Sequence, residues 1–205
     1  MTIGQLFAEM SQPATAIPAP AQAGRYQTIL ADPPWLERGG GQITRGAQRH
    51  YPLMKTEAIA ALPVSTWAAP NAHLYLWATN NFLEDGFRVM AAWGFRFITV
   101  ITWNKKVDGR WQMGIGQYFR GCTEHCLFGV RGVLPYRTRP DGKRAQGLTG
   151  FDAPRTEHSV KPEALRQMAE LVSHGPRLEM FARRPADGWD LWGNECDATL
   201  GSESA

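Results

Sequence analysis

Short apolar runs, spaced by segments rich in glycine, proline and charge, alternate along the chain between strand-like and helix-like character. The first, Tyr26–Ala31, is apolar and stopped by Pro33-Pro34, which predicts a strand. Residues 55–62 read as a helix. Ala72–Thr79 is apolar on both faces, as an interior strand of a covered sheet is. Residues 81–93 fit a helix stopped by Gly94, and the β-branched and aromatic run Phe95–Trp103 fits a strand. Glu124–Val130 predicts another strand. Pro162 stands where a helix begins, Leu165, Met168 and Val172 share one face behind it, and Gly175 ends it. Arg177–Ala182 predicts a strand, and Trp189–Asn194 closes the fold. Strands alternating with helices predict one open, mostly parallel α/β sheet.

The connections carry their own information. Residues 1–24 form a Pro/Ala lead-in whose first dozen residues are a candidate helix, and residues 198–205 are a tail. Between them, residues 25–197 predict a single domain without internal repeats. A Gly-rich loop runs from Leu36 to about Pro52, and residues 131–160 form a second long loop without periodicity. Long loops of this kind tend to be functional. Lys105–Phe119 is punctuated by glycine and predicts a mobile loop; its Gly114-Ile115-Gly116 lacks the full dinucleotide fingerprint.

Composition narrows the picture. A chain of 205 residues, 43% hydrophobic and 20% charged, excludes a disordered, fibrous or coiled-coil protein. Net charge is +3, a slight lean toward anionic partners. Eight tryptophans point either to a large core or to stacking surfaces. The three cysteines, Cys122, Cys126 and Cys196, are too few for a disulfide framework. The Cys-x-x-x-Cys spacing around His125 has no second ligand pair, so no metal site is expected. No apolar run nears the roughly 18 residues that span a bilayer, and a soluble, cytoplasmic protein with reduced thiols is expected.

The sharpest chemistry lies in Asp32-Pro33-Pro34-Trp35, directly after the first strand. In an open α/β sheet the carboxyl ends of the strands line the ligand crevice. Two consecutive prolines fix the backbone and remove two N–H donors. A row of carbonyl acceptors beside one carboxylate remains, and it suits a ligand that brings donors, such as the exocyclic amine of adenine. Trp35 is expected to offer a flat face to the base. That amine is a weak nucleophile because its lone pair is shared with the ring. Hydrogen bonds from both N–H groups to Asp32 and the Pro33 carbonyl would localise the pair for in-line attack on a methyl group.

Further segments fall in a fixed order: Arg45-Gly46-Ala47, His50 to Met54, Leu76 to Asn80, Trp93-Gly94-Phe95 and Trp103-Asn104-Lys105. After them come Phe119 to Leu127, Gly129 to Gly132, His158 to Glu163, Glu179 to Arg183 and Trp189 to Glu195. With the Asp-Pro-Pro-Trp turn, this series resembles the family of the eukaryotic mRNA N6-adenosine methyltransferase catalytic subunit and its bacterial and phage DNA-adenine relatives. The likeness spans about residues 26–196. It implies a Rossmann-like methyltransferase fold in a single domain, with S-adenosylmethionine as methyl donor. It implies that Asp32, Pro33, Pro34 and Trp35 form the catalytic turn. It puts the donor's methionine carboxylate at Lys161, where a cation and a helix N-terminus make an anion site, with Ser159 donating alongside. Glu179 and Arg183, with Phe181 between them, match the ribose side, and Asn194 and Glu195 match the adenine and ribose hydroxyls. Larger members carry an acidic residue well before the turn. The lead-in here has no counterpart, so the cofactor's adenine is expected to rest on the C-terminal elements.

Protein-glutamine methyltransferases share a Pro-Pro-aromatic turn, but their Gly-rich cofactor motif precedes it, whereas the candidate cofactor elements here follow it. Two loops are locally basic. Residues 131–161 hold seven basic residues against three acidic ones, and residues 36–55 hold Arg38, Arg45, Arg49 and Lys55 against Glu37. Arg38, Arg45, Arg49, Arg137, Arg139, Lys143 and Arg144, with Lys105, are expected to grip phosphates around a flipped base, in competition with a reading as plain solvated loop charge. His50 and Tyr51 stand near the pocket by resemblance, to hold a phosphate, to pack on the base or to pin the loop. The whole predicts an adenine-N6 methyltransferase acting on nucleic acid, DNA before RNA. The alternative is a catalytically silent nucleic-acid-binding subunit, against which the intact Asp-Pro-Pro-Trp turn argues.

Overall fold

The computed structural model describes residues 23–36, 53–133, 136–156, 160–182 and 184–193. Most of the lead-in, with its candidate helix, most of the loop after the turn, and the tail lie outside them. In chain order the elements are β1 (Tyr26–Ala31), α1 (Thr56–Ala60), α2 (Val64–Trp67), β2 (Ala68–Ala78), a 3-10 turn (Asn80–Phe82), α3 (Leu83–Ala92), β3 (Arg96–Val107), β4 (Arg110–Trp111), β5 (Thr123–Arg131), β6 (Gly150–Ala153), α4 (Glu163–Val172), β7 (Arg177–Met180) and β8 (Asp190–Trp192).

One sheet runs in the order β4-β3-β5-β2-β1-β7-β8, with β6 beside β3. The parallel pairs are β1 with β2, β1 with β7, β7 with β8 and β3 with β6. The pairs of β5 with β2 and with β3, and of β4 with β3, are antiparallel. The Rossmann-like α/β fold therefore stands, but the sheet is divided: parallel on the β1 side, antiparallel on the β3–β5 side. The reason is the connection. Among the described residues no helix lies between β3 and β5, and a parallel pair needs a crossover of a dozen or more residues, usually a helix.

Side-chain alternation sorts the core into two layers. Ile29, Ala31, Leu74, Leu76, Leu127, Leu178 and Met180 pack with Ile59, Val64, Trp67, Val89, Met90 and Trp93 on the α1–α3 face. Leu30, Tyr75, Trp77, Ile101, Trp103 and Cys126 pack with Leu165 and Ala169 of α4 on the other. With both faces covered, the strands read as continuous apolar runs. The same period of two carries the position after β1, Asp32, and the polar position of β7, Glu179, toward the α4 face.

Three local expectations change. β3 continues to Val107 and returns as β4, so the start of Lys105–Phe119 is a hairpin. The long loop after β5 contains β6. Residues 55–62 form only a five-residue helix, followed by a second short turn of helix at α2. Among the described residues, no helix is long and apolar enough to cross a membrane.

Candidate active site

β1 lies between β2 and β7, where chain connections leave in opposite directions. In open α/β sheets ligands bind at that switch point, past the carboxyl ends of the strands. Asp32 stands there, its backbone N–H on the Met180 carbonyl at 3.4 Å. The turn behind it is rigidly tied. The Pro33 carbonyl accepts from Trp35 N–H at 2.9 Å, and the Pro34 carbonyl from Met54 N–H at 2.8 Å. The row of acceptors is therefore not wholly open: each carbonyl keeps one lone-pair direction for a ligand.

Trp35 corrects an expectation. It is 7% exposed, stacks on Phe82 with ring centroids 5.5 Å apart, and its indole N–H donates to the Trp77 carbonyl at 3.1 Å. It is an anchor of the α1–α3 layer and presents no open face to a base. The cause is its place two residues past Pro33, where the tied turn folds it back over β2. Of the other tryptophans, Trp67, Trp77 and Trp93 are buried, as expected for core. Trp189 and Trp192 are buried as well, and Trp189 donates from its indole N–H to Glu170 Oε1 at 2.7 Å.

Lys161 precedes α4, whose N-cap is Pro162. Its ammonium lies 2.8 and 2.9 Å from the two Asp32 oxygens and 3.5 Å from Glu124 Oε1. Glu124 Oε2 is in turn 3.1 Å from Lys105 Nζ. The result is an alternating chain of carboxylate, ammonium, carboxylate and ammonium across β1, α4, β5 and β3. The Trp77 ring lies 5.5 Å from Lys161 Nζ and the Trp103 ring 4.9 Å from Lys105 Nζ. Glu124 is only 9% exposed, and its placement follows from the β5 register against β3, which pairs it with Trp103. No simple period singles out that register in the sequence.

These groups open onto a cleft of about 750 Å³ lined by Asp32, Trp77, Lys161, Arg166, Glu179 and Phe181, among others. Burial raises the Glu179 carboxyl above its ordinary value, Arg166 pulls it down, and the charges of Asp32 and Glu163 push it up. Arg166 Nη1 is 3.4 Å from Glu179 Oε2, and its Nε donates to Glu163 at 2.8 Å. The ion pair visible at Glu179 is thus with Arg166, a helix residue with no motif to announce it. Phe181 has a left-handed backbone, φ 63°, and meets Trp192 edge to face at 5.2 Å. A bulky residue at positive φ stores strain that binding sites commonly hold.

The arrangement fits the methionine end of S-adenosylmethionine. A carboxylate and an ammonium side by side match an α-ammonium and an α-carboxylate. The helix N-terminus adds to the anion side, and Glu179 offers acceptors for hydroxyl groups. Ser159, Arg183, Asn194 and Glu195 lie outside the described residues, as do Arg38, Arg45, Arg49, His50 and Tyr51.

The described basic residues are mostly engaged. Lys105 is held by Glu124, and Arg139 pairs with Asp141 at 3.0 Å. Arg144 stacks over Tyr136 at 3.8 Å, and Lys143 is exposed. Arg137 is also engaged: its guanidinium donates to the Glu170 carbonyl in the last turn of α4. Helix ends leave such carbonyls without internal partners, so Arg137 braces that helix end. His125 bridges Thr102 Oγ1 at 3.1 Å and Asn80 Oδ1 at 2.6 Å, and burial lowers its pKa against an opposing pull from Glu124. Among the described residues no group of three or more His, Cys, Asp or Glu gathers as metal ligands do.

An open Rossmann-like sheet with an Asp-Pro-Pro-Trp turn at its switch point defines a methyltransferase of the S-adenosylmethionine-dependent class. The chain belongs to the MT-A70 family, whose profile matches residues 26–195. It is similar to the type II methyltransferase M.MunI of a Mycoplasma species, 28% identical over 190 residues that cover 83% of this chain and 78% of that protein. It is also similar to the N6-methyladenosine RNA methyltransferase MTA1 of Cryphonectria parasitica, 29% identical over 85% of this chain and 53% of the relative. The human N(6)-adenosine-methyltransferase catalytic subunit METTL3 is 28% identical over 85% of this chain and 29% of its own length. The chain therefore spans most of the first relative and between about a quarter and a half of the other two.

Proposed function

We propose that this protein transfers a methyl group from S-adenosylmethionine to the N6 amine of adenine in nucleic acid. The observation that carries the reading is the Asp32 carboxylate, set at the end of β1 in a proline-fixed turn and paired with Lys161 at the mouth of α4. S-adenosylmethionine, when bound, supplies an electrophilic methyl group. Asp32 and the Pro33 carbonyl accept the two amine N–H groups and orient the nitrogen lone pair along the line of attack. Lys161 pairs with Asp32, and the carboxylate stabilises the positive charge that develops on the amine. Glu124 and Lys105 hold Lys161 in place from the β5 and β3 side. Arg166 holds Glu179 toward the ribose hydroxyls.

DNA is the favoured polymer. The relative of similar length is a bacterial type II methyltransferase, whereas the relatives named for RNA or adenosine are much longer proteins. The methyltransferase unit is assigned to residues 25–197, and the protein to the cytoplasm. The test is incubation with S-adenosylmethionine and matched single-stranded DNA, duplex DNA and RNA, followed by mass spectrometry of the nucleosides. N6-methyladenine in DNA above RNA is expected. N6-methyladenine in RNA alone would reverse the polymer, and methylation at another atom would overturn the reading.

A further inference from the structure

Beyond β4 the chain makes a closed finger before entering β5. Its base is β3 itself: Gln112 N–H donates to the Lys105 carbonyl at 2.7 Å, and Lys105 N–H to the Cys122 carbonyl at 2.9 Å. Farther out, Gly114 N–H donates to the Gly121 carbonyl at 2.6 Å, and Arg120 Nε donates back to the Gly114 carbonyl at 2.9 Å. Two glycines make this closeness possible. A Cβ at Gly114 would stand 2.9 Å from the Gly121 oxygen, and one at Gly116 only 1.9 Å from the Phe119 oxygen. The segment expected to be a mobile loop is thus tied by backbone bonds.

The tip of this tied finger is apolar and open. Ile115 is 86% exposed, and Tyr118 and Phe119 are each 91% exposed. Large apolar groups held together in water mark an interaction surface. The charge around them selects the partner. From Gly109 to Thr123 the chain carries Arg110 and Arg120 and no acidic residue. At the finger's base, Lys106 Nζ stands 4.4 Å from the Trp111 ring and is paired with Asp152 at 3.1 Å. Farther out, the exposed aromatic faces lie in a stretch whose only charged residues are arginines, and they suit a polymer that joins π faces to phosphates. The placement relates the finger to the reaction. Lys105, at its base, is linked through Glu124 and Lys161 to Asp32.

We infer that the finger is a stacking surface for unpaired bases beside the target adenine, with Tyr118 and Phe119 as its contacts. The inference rests on the nucleic-acid reading above and sharpens it, because stacking on an exposed tip requires bases that have left their own stack. The substrate is then a single strand, or a duplex opened around the target.

The test compares the full chain with the double variant Tyr118→Ser, Phe119→Ser. Binding of fluorescein-labelled single-stranded DNA and RNA and of the matching duplex is followed by anisotropy. An oligonucleotide with 2-aminopurine beside the target reports stacking directly. Calorimetry with S-adenosylmethionine checks that the cleft is intact, and sedimentation velocity reports the oligomeric state. The double variant is expected to bind single strands about 10-fold or more weaker, to lose 2-aminopurine quenching, and to keep its S-adenosylmethionine affinity within about 2-fold. Phe119→Trp is expected to restore quenching in the Tyr118→Ser background. Unchanged binding and quenching, while the wild type still binds and methylates, would overturn the finger's role alone. A wild type that binds and methylates no nucleic acid would overturn the function and the finger together. A dimer that becomes monomeric in the variant with unchanged affinity for nucleic acid would make the tip an interface between copies, which also overturns the proposal.

Discussion

Where the parallel and antiparallel parts of the sheet meet, at the carboxyl end of β1, the charges are paired and sunk. Asp32, Lys161, Glu124 and Lys105 alternate in sign within 3.5 Å of one another, and Glu179 is held by Arg166 on the wall of one cleft. On the antiparallel side, past the end of β3, the side chains stand out in water, with Tyr118 and Phe119 almost wholly exposed. The first arrangement suits a small zwitterion that exchanges ion pairs with the protein. The second suits an extended polymer that is gripped from outside. The parallel strands come with the α4 crossover, whose N-terminus walls the cleft. The antiparallel strands come with a hairpin connection, which leaves a finger free to reach outward.

The comparison can be broken at several points. The largest effect is expected at Trp35, which joins the turn to the core through Phe82 and the Trp77 carbonyl. Trp35→Ala is expected to destabilise the fold by about 3–5 kcal/mol, as large-to-small changes of buried aromatics do, with thermal unfolding as the readout. A variant of native stability that had lost only nucleic-acid affinity would instead make Trp35 a stacking residue. Lys161→Ala removes the cation at the α4 N-terminus. Affinity for S-adenosylmethionine is expected to fall about 10- to 100-fold by calorimetry, since charge-assisted hydrogen bonds are worth about 1.5–3 kcal/mol. Unaltered affinity would remove Lys161 from the cofactor.

A smaller effect distinguishes buried polarity that serves the fold from buried polarity that serves the site. His73 on β2 is 5% exposed and shares the Ser173 hydroxyl, at 2.8 Å, with Tyr75. Burial, and then the neighbouring His174, lowers its pKa from 6.5 to about 4. The unfolded chain takes up this proton below pH 6.5, whereas the native protein takes it up only near pH 4. Stability is therefore expected to fall as pH drops through that window, by on the order of 3 kcal/mol at its lower end. His73→Gln is expected to flatten that slope in denaturant titrations. An unchanged slope would assign the loss to other groups.

Much of this was legible before the structure. β1 and β2 are apolar on both faces over most of their length, and residues at those positions can do little but form covered strands. The Asp-Pro-Pro-Trp turn and the Lys-Pro helix start are short and chemically odd, so Asp32 and Lys161 stand out although 129 residues separate them. Their direct ion pair did not stand out, because it depends on where α4 crosses the end of β1. β6 and the far end of β3 are held by backbone bonds and carry no apolar period, so they read as loop. Glu124 and Arg166 enter the site through strand register and helix rotation, each within a segment whose neighbours are equally polar. The sequence neighbours of Trp35 suggest an open ring, but its burial against Phe82 is decided by the tied turn.

Asp32 is proposed to orient the amine for methyl transfer. Asp32→Ala, assayed for single-turnover transfer of labelled methyl to an adenine oligonucleotide, with S-adenosylmethionine binding measured on the same preparation, tests it directly. Transfer is expected to fall about 1,000-fold, as when a group that stabilises developing charge is removed, with cofactor affinity within about 10-fold of the wild type. Transfer at the wild-type rate with Asp32 gone would contradict it.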